Sequence, residues 1–415
     1  MNKPNQYERL GKNLKLIDVY ALATGTTLSA GFFLLPGIAA AQAGPAMILS
    51  YMIAAIPIIP ATFCVVELTT AMPRAGGVYY YLARSMGPLF GTIGGIGTWL
   101  ALVLKVAFAL IGMGVYLALF VPEVPIILVA IAIAVAIGLI NIMGARSSGM
   151  MQVVIVVVLL IILTVLLGDG VRTVSVEKFN GFFDAGFTPI ISTSAMVYIS
   201  YAGITKVTSL SEEVENPERN LPLGIFLALA TAIVIYGVGT AVMVGVVPIE
   251  ELSGDLAPVA TVAGILFGEY GVIIITLAAF LGFISVANAG AMSASRYPLA
   301  MSRDLIMPSF FQKLSKGRGM PSYAIMFTTG TIILILHTLD TTKIVKIASA
   351  FQLLMFMLVC LAVIIMRESK IGSYDPGYRS PLYPWMQIFG IVSSLWLLSK
   401  MGIWTKVFTG GMVVL

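Results

Sequence analysis

The residues that most invite a chemical role are a few polar and small side chains set inside long apolar runs. Lys105 is the only charged residue between Arg84 and Glu123. The stretch TGTTLSAGFFLLPG (24–37) places hydroxyls and glycines inside another apolar run. A lysine partly removed from water can hold or release a proton, and an interrupted helix offers free backbone groups to a ligand. The elements around these residues decide which of these roles is open to them.

Composition assigns those elements to a bilayer. Of 415 residues, 59% are hydrophobic and 10% are charged, with a mean hydropathy of +1.00. A helix crosses the hydrocarbon core with about 20 apolar residues. Twelve apolar runs predict an all-α polytopic membrane protein, at 16–42, 47–71, 88–119, 124–143, 149–168, 187–210, 223–247, 271–302, 321–338, 345–366, 383–400 and 403–415.

Basic residues occupy the N-terminal leader and every second connection between the runs. The others, such as VPEVP and PIEELSGD, are acidic or mixed. Because Lys and Arg are enriched in cytoplasmic loops, we expect a multi-pass protein of the cytoplasmic membrane with both termini inside the cell. The net charge of +5 reflects this bias and is scattered over loops, so no nucleic-acid partner is predicted.

Other chemistry finds little support in the sequence. Cys64 and Cys360 each lie within an apolar run, where a small core residue is the expected role. His337 is the only histidine, and no second metal ligand or nucleophile accompanies it. We therefore expect neither an enzyme nor a metal site nor a cofactor.

Two apolar runs carry an internal weak point. Ser29-Ala30-Gly31 interrupts the first run, and MVYISYAGITK (196–206) interrupts the sixth with Ser200, Ala202 and Gly203. Taken alone, the first could equally be a small-residue helix-packing face. Paired broken segments in corresponding halves instead favour a substrate site at the middle of the membrane.

Further motifs extend this pattern over the chain. They are ELTTAMPRAGGVYYY (67–81), NIMG (141–144), EEVENPERNLP (212–222) and SRYPLAMSRDLIMP (295–308), beside SAGFFLLPG in the first run. Pro73, Gly76 and Gly77 predict a turn at the membrane surface, and Pro217 and Pro222 predict a helix end and a helix start. In combination these motifs resemble the amino acid, polyamine and organocation (APC) family of secondary transporters.

The resemblance implies two five-helix inverted repeats with broken helices 1 and 6, plus two peripheral helices. The corresponding segments are a cytoplasmic leader at 1–15, the repeats at 16–168 and 187–366, and the peripheral helices at 383–415. The twelfth run, 403–415, is too short to cross a bilayer, which is consistent with a piece of a longer chain.

The resemblance also implies a substrate site between helices 1 and 6. A substrate carboxylate is expected at the backbone of Ala30 and Gly31 near Ser29, and an α-amino group at carbonyls around Thr27, Ile199 and Ala202. Further lining residues are expected at Ser200, Tyr201, Gly203 and Thr205. The connection PIEELSGDLAPVATVAGIL (248–266) resembles the external segment that packs over such a site.

Coupling devices of the family are not evident. The position that matches a coupling lysine in helix five of some relatives is predicted to be Leu159, and Ser285 alone matches the paired hydroxyls of sodium-coupled members. Lys105 is predicted beside the substrate, as a proton carrier, as a counter-charge for an acidic substrate side chain, or as a structural lysine bonded to broken-helix carbonyls. Asn288 and Gln352 are expected to form hydrogen bonds between helices.

The function expected from these features is transport of an amino acid or related small amine by alternating access, coupled to protons or to exchange. A transporter-like sensor or partner subunit that binds ligand without turnover is the alternative, and a membrane enzyme comes third. The oligomeric state is left open.

Overall fold

The computed structural model describes residues 14–73, 76–143, 149–203, 211, 214–315 and 319–402. Within them the chain is helical and contains no β-strand. The helices are α1 (Leu16–Thr27), α2 (Ala30–Phe33), α3 (Leu35–Ala43), α4 (Met47–Ala71), α5 (Gly77–Met86), α6 (Pro88–Ala118), α7 (Ile126–Met143), α8 (Gly149–Thr173), α9 (Phe187–Val197), α10 (Pro217–Val246), α11 (Ile249–Leu252), α12 (Pro258–Arg303), α13 (Ser322–Thr338), α14 (Thr341–Glu368) and α15 (Trp385–Ser399).

Eight segments in the described part are long and apolar enough to cross a membrane, and α13 and α15 are shorter apolar helices. The predicted all-α polytopic class is therefore confirmed. Each of the first eleven predicted runs overlaps one or more of these helices. The twelfth run, 403–415, lies outside the described residues.

Helix ends collect at two faces of the bundle. At the face where α1 begins, called here the Lys15 face, Leu14 pairs with Val214 in an isolated parallel bridge. At the other face, called here the Gly44 face because α3 ends beside that residue, Ser175 donates a backbone hydrogen bond of 3.0 Å to Gly245. These long-range contacts hold the connections of each face together.

The first run is broken where the sequence predicts. Helix α1 ends at Thr27, and Ser29 has a non-helical ψ of −115° before α2 begins at Ala30. The sixth run also leaves the α-helical form, because α9 ends at Val197 and a 3₁₀ segment follows over 198–203. Small residues and glycines allow both changes of backbone conformation.

Other details differ from the predicted boundaries. Pro217 begins α10, but Pro222 lies inside that helix rather than at its start. Helix α12 begins at Pro258, well before the predicted 271, and is interrupted at Gly268, whose φ of 64° is not helical. At the predicted turn, Gly76 and Gly77 have positive φ values, and the unpredicted helix α5 begins at Gly77.

Helix α6 forms the centre of the bundle. It is buried along almost its whole length, whereas α7 and α8 expose most of their surface. The exposed side chains of α7 and α8 are largely apolar, whereas Lys105 on α6 lies in the protein interior.

Candidate substrate site at two interrupted helices

The two broken segments lie directly against each other. The Thr26 hydroxyl donates to the Gly203 carbonyl at 2.8 Å. A side chain at Gly203 would overlap the backbone of Thr26 and Thr27, so only glycine permits this approach. A Cβ added at Gly31 would lie 2.7 Å from Ser200 Cβ. Four of the predicted site residues, Thr27, Gly31, Ser200 and Gly203, are thus brought together.

Tyrosine hydroxyls bond to the carbonyls of the broken segments. Tyr236 on α10 donates to Thr27 O at 2.7 Å and lies 3.3 Å from Ser200 O. Tyr51 on α4 donates to Gly31 O at 3.0 Å. The predicted lining residue Tyr201 donates away from α1, to Tyr51 O at 3.1 Å. The Thr27 carbonyl expected to meet an α-amino group therefore already accepts one hydrogen bond, and its second lone pair is the one left for a ligand.

Sequence reasoning missed Tyr51 and Tyr236. Both rings are fully buried and stack with centroids 5.1 Å apart. A tyrosine deep in an apolar run could have indicated them, because a buried tyrosine hydroxyl usually needs a hydrogen-bond partner, and a broken helix offers free carbonyls.

Ser29 is the polar residue at the centre of the α1 break. Its side chain is fully buried, and its hydroxyl has no hydrogen-bond partner among the described residues. Helix α12 presents a glycine, Gly282, toward Ser29. Even a Cβ added at Gly282 would lie 3.8 Å from Ser29 Cβ, so space remains between the two helices. The Phe32 and Phe33 N–H groups donate to Ser29 O at 2.9 and 3.1 Å, whereas those of Ala30 and Gly31 have no acceptor within α2. A buried hydroxyl beside two such N–H groups suits a carboxylate.

An aromatic cluster borders the break on its Gly44-face side. Phe33 packs edge-on against Tyr116 and Phe283, with centroids 6.1 and 5.9 Å away. Tyr116 also donates to the Phe33 carbonyl at 2.9 Å, which satisfies a backbone group near the break. The cluster forms an apolar wall beside Ser29.

Lys105 reaches the second broken segment. Only 3% of the residue is exposed, and Nζ donates to the Ile199 carbonyl at 3.3 Å. The backbone N–H of Ile199 donates to Ser349 Oγ at 3.1 Å, and the Ser349 hydroxyl donates to the Met196 carbonyl. The buried ammonium group therefore lies just beyond the end of α9, at the predicted site residue Ile199.

Ser285 lies in a different cluster. Its hydroxyl donates to Gln152 Oε1 on α8 at 2.6 Å. The Gln152 amide nitrogen lies against Gly25 of α1, where it would crowd any added Cβ. Gln152 and Val156 are thus the α8 side chains that lie against Gly25 of α1. Leu159, the position predicted to match the coupling lysine of some relatives, is a buried core residue of α8, and that match stays a prediction.

The remaining predicted residues are dispersed or lie elsewhere. Asn288 is half-buried, and its Oδ1 has no partner within the described ranges. Gln352 on α14 is buried. Thr205 lies outside the described residues. Across the part of the chain that the structure describes, no three His, Cys, Asp or Glu side chains are close enough to bind a metal ion.

The connection 248–257 covers the site from the Gly44 face. Gly254 donates to the Gly37 carbonyl at 2.9 Å, and a side chain at Gly37 would overlap the Asp255 carbonyl oxygen. Asp255 in turn accepts from Ala257 N at 2.7 Å and from the Thr261 hydroxyl at 2.6 Å, which fixes the connection in place. The site residues beneath it are at most 4% exposed. The structure is therefore closed around the breaks.

Comparison with known sequences agrees with this architecture. The family model described as amino acid permease matches residues 14–408. The chain belongs to the amino acid permease family. The resemblance predicted from the motifs is thereby confirmed.

Relatives of this permease chain carry names that refer to different substrates. The chain described here is 28% identical to the branched-chain amino acid permease BcaP of Bacillus subtilis, over 95% of its own length and 89% of that relative. It is 27% identical to the methylthioribose transporter of the same bacterium, over 96% and 90% of the two chains. The vacuolar cationic amino acid transporter 4 of Arabidopsis thaliana is 28% identical over 86% of the chain, which spans 64% of that relative's length.

Proposed function

We propose that this protein is a secondary transporter that moves an amino acid or related small amine across the cytoplasmic membrane by alternating access. Membership of the amino acid permease family and the named transporter relatives support amino acid transport. Coupling to protons or to exchange of one substrate for another is part of the proposal.

The observation that carries the proposal is the meeting of two helix interruptions inside the bundle. Thr27, Gly31, Ser200 and Gly203 lie together there, and the buried Ser29 hydroxyl has no partner among the described residues. Interrupted backbone at membrane depth is tolerated where it lines a cavity or meets a ligand. The α-carboxylate binds at Ser29, Ala30 and Gly31, and the α-ammonium binds at carbonyls of Thr27, Ile199 and Ala202.

The transport cycle moves two inverted repeats, 16–168 and 187–366, against each other. The two interruptions occur five runs apart, in corresponding runs of these segments, which supports this assignment. The Lys15 face is cytoplasmic, since its connections carry most of the basic residues. The covered Gly44 face is then external, and substrate enters from there once the 248–257 connection moves.

Lys105 supplies coupling or specificity. Its Nζ contacts a carbonyl of the second interruption, so a change in its charge acts directly on the backbone that binds substrate. As a proton carrier, Lys105 would release its proton during the cycle. As a counter-charge, it would instead bind an acidic substrate side chain.

Counterflow uptake into proteoliposomes tests the proposal. A labelled amino-acid mixture is offered to the intact protein, to Lys105→Ala and to Lys105→Arg, with and without an imposed pH gradient. Proton coupling predicts that uptake responds to the gradient only with lysine at this position. Arginine keeps the charge but holds its proton, so it isolates the proton step.

The counter-charge role predicts a different pattern. Arginine would then preserve uptake of acidic amino acids, which alanine would abolish, and neither variant would change the response to pH. Saturable binding without uptake by well-folded protein would instead identify a ligand sensor and overturn the transporter proposal.

A further inference from the structure

A cavity of about 390 Å³ opens on the Gly44 face, away from the interrupted helices. Small-molecule sites usually have volumes of about 300–1,000 Å³, so the cavity can hold a single amino acid. Three elements supply its lining, namely α3 with Ile38 and Gln42, the 248–257 connection with Leu256, and the start of α14 with Asp340, Thr341 and Thr342.

The cavity lies directly on the contact that covers the central site. Gly254, which donates to the Gly37 carbonyl, is also part of its lining. Ile38 of the lining is the next residue after Gly37. A solute in this cavity therefore touches both sides of the contact that has to open for substrate to reach Ser29.

Asp340 gives the cavity a fixed negative group. As the N-cap of α14, it accepts the Lys343 backbone N–H at 2.8 Å through Oδ1. Its other oxygen, Oδ2, lies 2.8 Å from Lys343 Nζ. The Asp340 and Lys343 side chains are 53% and 67% exposed. An exposed ion pair of this kind contributes little stabilising free energy, so the ammonium group of a ligand can replace that of Lys343 at a small cost in free energy.

We propose that this cavity is a second substrate site, in which Asp340 binds the primary ammonium group of an incoming amino acid. The proposal rests on the proposed transport function. Ile38 and Leu256 give the aliphatic part of the substrate an apolar surface, and the Thr341 and Thr342 hydroxyls offer hydrogen bonds to its carboxylate. Asp340 thereby loads substrate next to the Gly37–Gly254 contact before that contact opens.

Thiol labelling tests ligand binding here without relying on transport. Ala41→Cys, at an exposed position of the cavity lining, is introduced into the full chain, and the introduced thiol is modified by a cationic or an anionic methanethiosulfonate reagent. Cys64 and Cys360 are fully buried, so labelling reports the introduced thiol. We expect L-leucine or L-arginine to slow the modification, and their N-acetylated forms, which lack the ammonium group, to leave it unchanged.

Asp340→Asn added to Ala41→Cys provides the matched control. Asparagine keeps the helix cap and removes only the charge. Protection by the free amino acids should disappear in this variant, together with any preference for the cationic reagent. Protection that survives Asp340→Asn, equal protection by the N-acetylated forms, or no protection at all would overturn the proposal.

Transport kinetics supply an independent comparison between the two partners of the ion pair. Asp340→Asn should raise the KM for uptake, and Lys343→Met, which removes the competing ammonium, should lower it. Each change should be about 2- to 5-fold, the range that an exposed ion pair supplies. Shifts of KM in the same direction would contradict the proposal. Failure of uptake with intact thiol protection would contradict the transport function and leave the binding site standing.

Discussion

Two buried polar groups in this bundle have opposite surroundings. Glu67, near the end of α4 at the Lys15 face, and Ser29, in the α1 break, are both fully buried. The Glu67 carboxylate accepts hydrogen bonds from several groups, whereas the Ser29 hydroxyl accepts none from the described residues. A buried polar group with all its hydrogen bonds made, such as Glu67, stabilises the fold, whereas one without a partner, such as Ser29, is available to a ligand.

The Glu67 cluster fastens the 369–384 connection to α4. Arg367 binds both carboxylate oxygens, with Nε at 2.7 Å and Nη2 at 2.6 Å. Tyr374 donates at 2.8 Å, and Ser380 donates its N–H at 2.8 Å and its hydroxyl at 2.5 Å. Burial and the neighbouring carboxylate raise the pKa of Tyr374 well above its ordinary value, so its hydroxyl remains a donor at physiological pH. This saturated cluster is a structural fastening.

The break at Ser29 follows the opposite rule. Two carbonyls at the break accept from tyrosines, the Ser29 hydroxyl has no partner among the described residues, and the Ala30 and Gly31 N–H groups have no acceptor within α2. A buried polar atom without a partner costs free energy, so its retention calls for a functional reason. Substitutions in the two regions should therefore separate stability from transport.

The largest expected effect on stability is at Glu67. Glu67→Ala leaves the Arg367 guanidinium without its carboxylate partner, which should lower the unfolding free energy by about 3–5 kcal/mol. Thermal unfolding in detergent measures the loss. The double substitution Glu67→Met, Arg367→Met should recover a large part of it, because no charge is left unpaired. If Glu67→Ala left the unfolding temperature unchanged, the cluster would not have the structural role assigned to it.

Gly31→Ala should come next. The added Cβ would lie 2.6 Å from the Tyr236 hydroxyl and 2.8 Å from Ser200 Cα, so the two broken segments must separate. Such overpacking costs about 1–3 kcal/mol, and transport should be lost with it. Gly330→Ala in α13 is the control, since a Cβ added there has no neighbour within 4 Å. Equal damage in both variants would refute the close packing of the breaks.

Tyr236→Phe removes one hydroxyl that bonds to the first break. The Thr27 carbonyl then loses its 2.7 Å donor, which should reduce stability by about 1–2 kcal/mol and slow uptake. Tyr20→Phe serves as the comparison, because that hydroxyl bonds to Thr231 at the side of the bundle, 3.1 Å away. Uptake rates and unfolding temperatures of the two variants are measured together, and an equal loss of uptake in both would exclude a special role for Tyr236.

Ser29→Ala should have the smallest effect on stability and a large one on function. Loss of a buried hydroxyl without a described partner should not lower the unfolding free energy, because no hydrogen bond among the described residues is broken. The KM for uptake should nevertheless rise, because a carboxylate donor is removed. Ser29→Thr, which keeps the hydroxyl, is the matched variant. A destabilised alanine variant with unchanged KM would place Ser29 among the structural residues.

The sequence predicts parts of this arrangement because they are local. Glycine and serine weaken helix α1 where it breaks, and a lone lysine in the middle of an apolar run must lie in the interior. The partners of those residues depend on packing between distant segments. Tyr236 and Thr27 are 209 residues apart, and Ser285 and Gln152 are 133 residues apart. Helix rotation within the bundle decides such pairs, and apolar composition alone does not encode it.

The bond between Glu67 and Arg367 also has a consequence for how the protein is made. The two residues are 300 positions apart. At about 5–20 residues per second, the ribosome needs about 15–60 s to reach the arginine after it has made the glutamate. Throughout that interval the second membrane segment carries an acidic group whose lasting partner has not been synthesised. Nascent chains that stop before residue 367 should therefore be recognised by membrane quality control, and the finished chain should escape it.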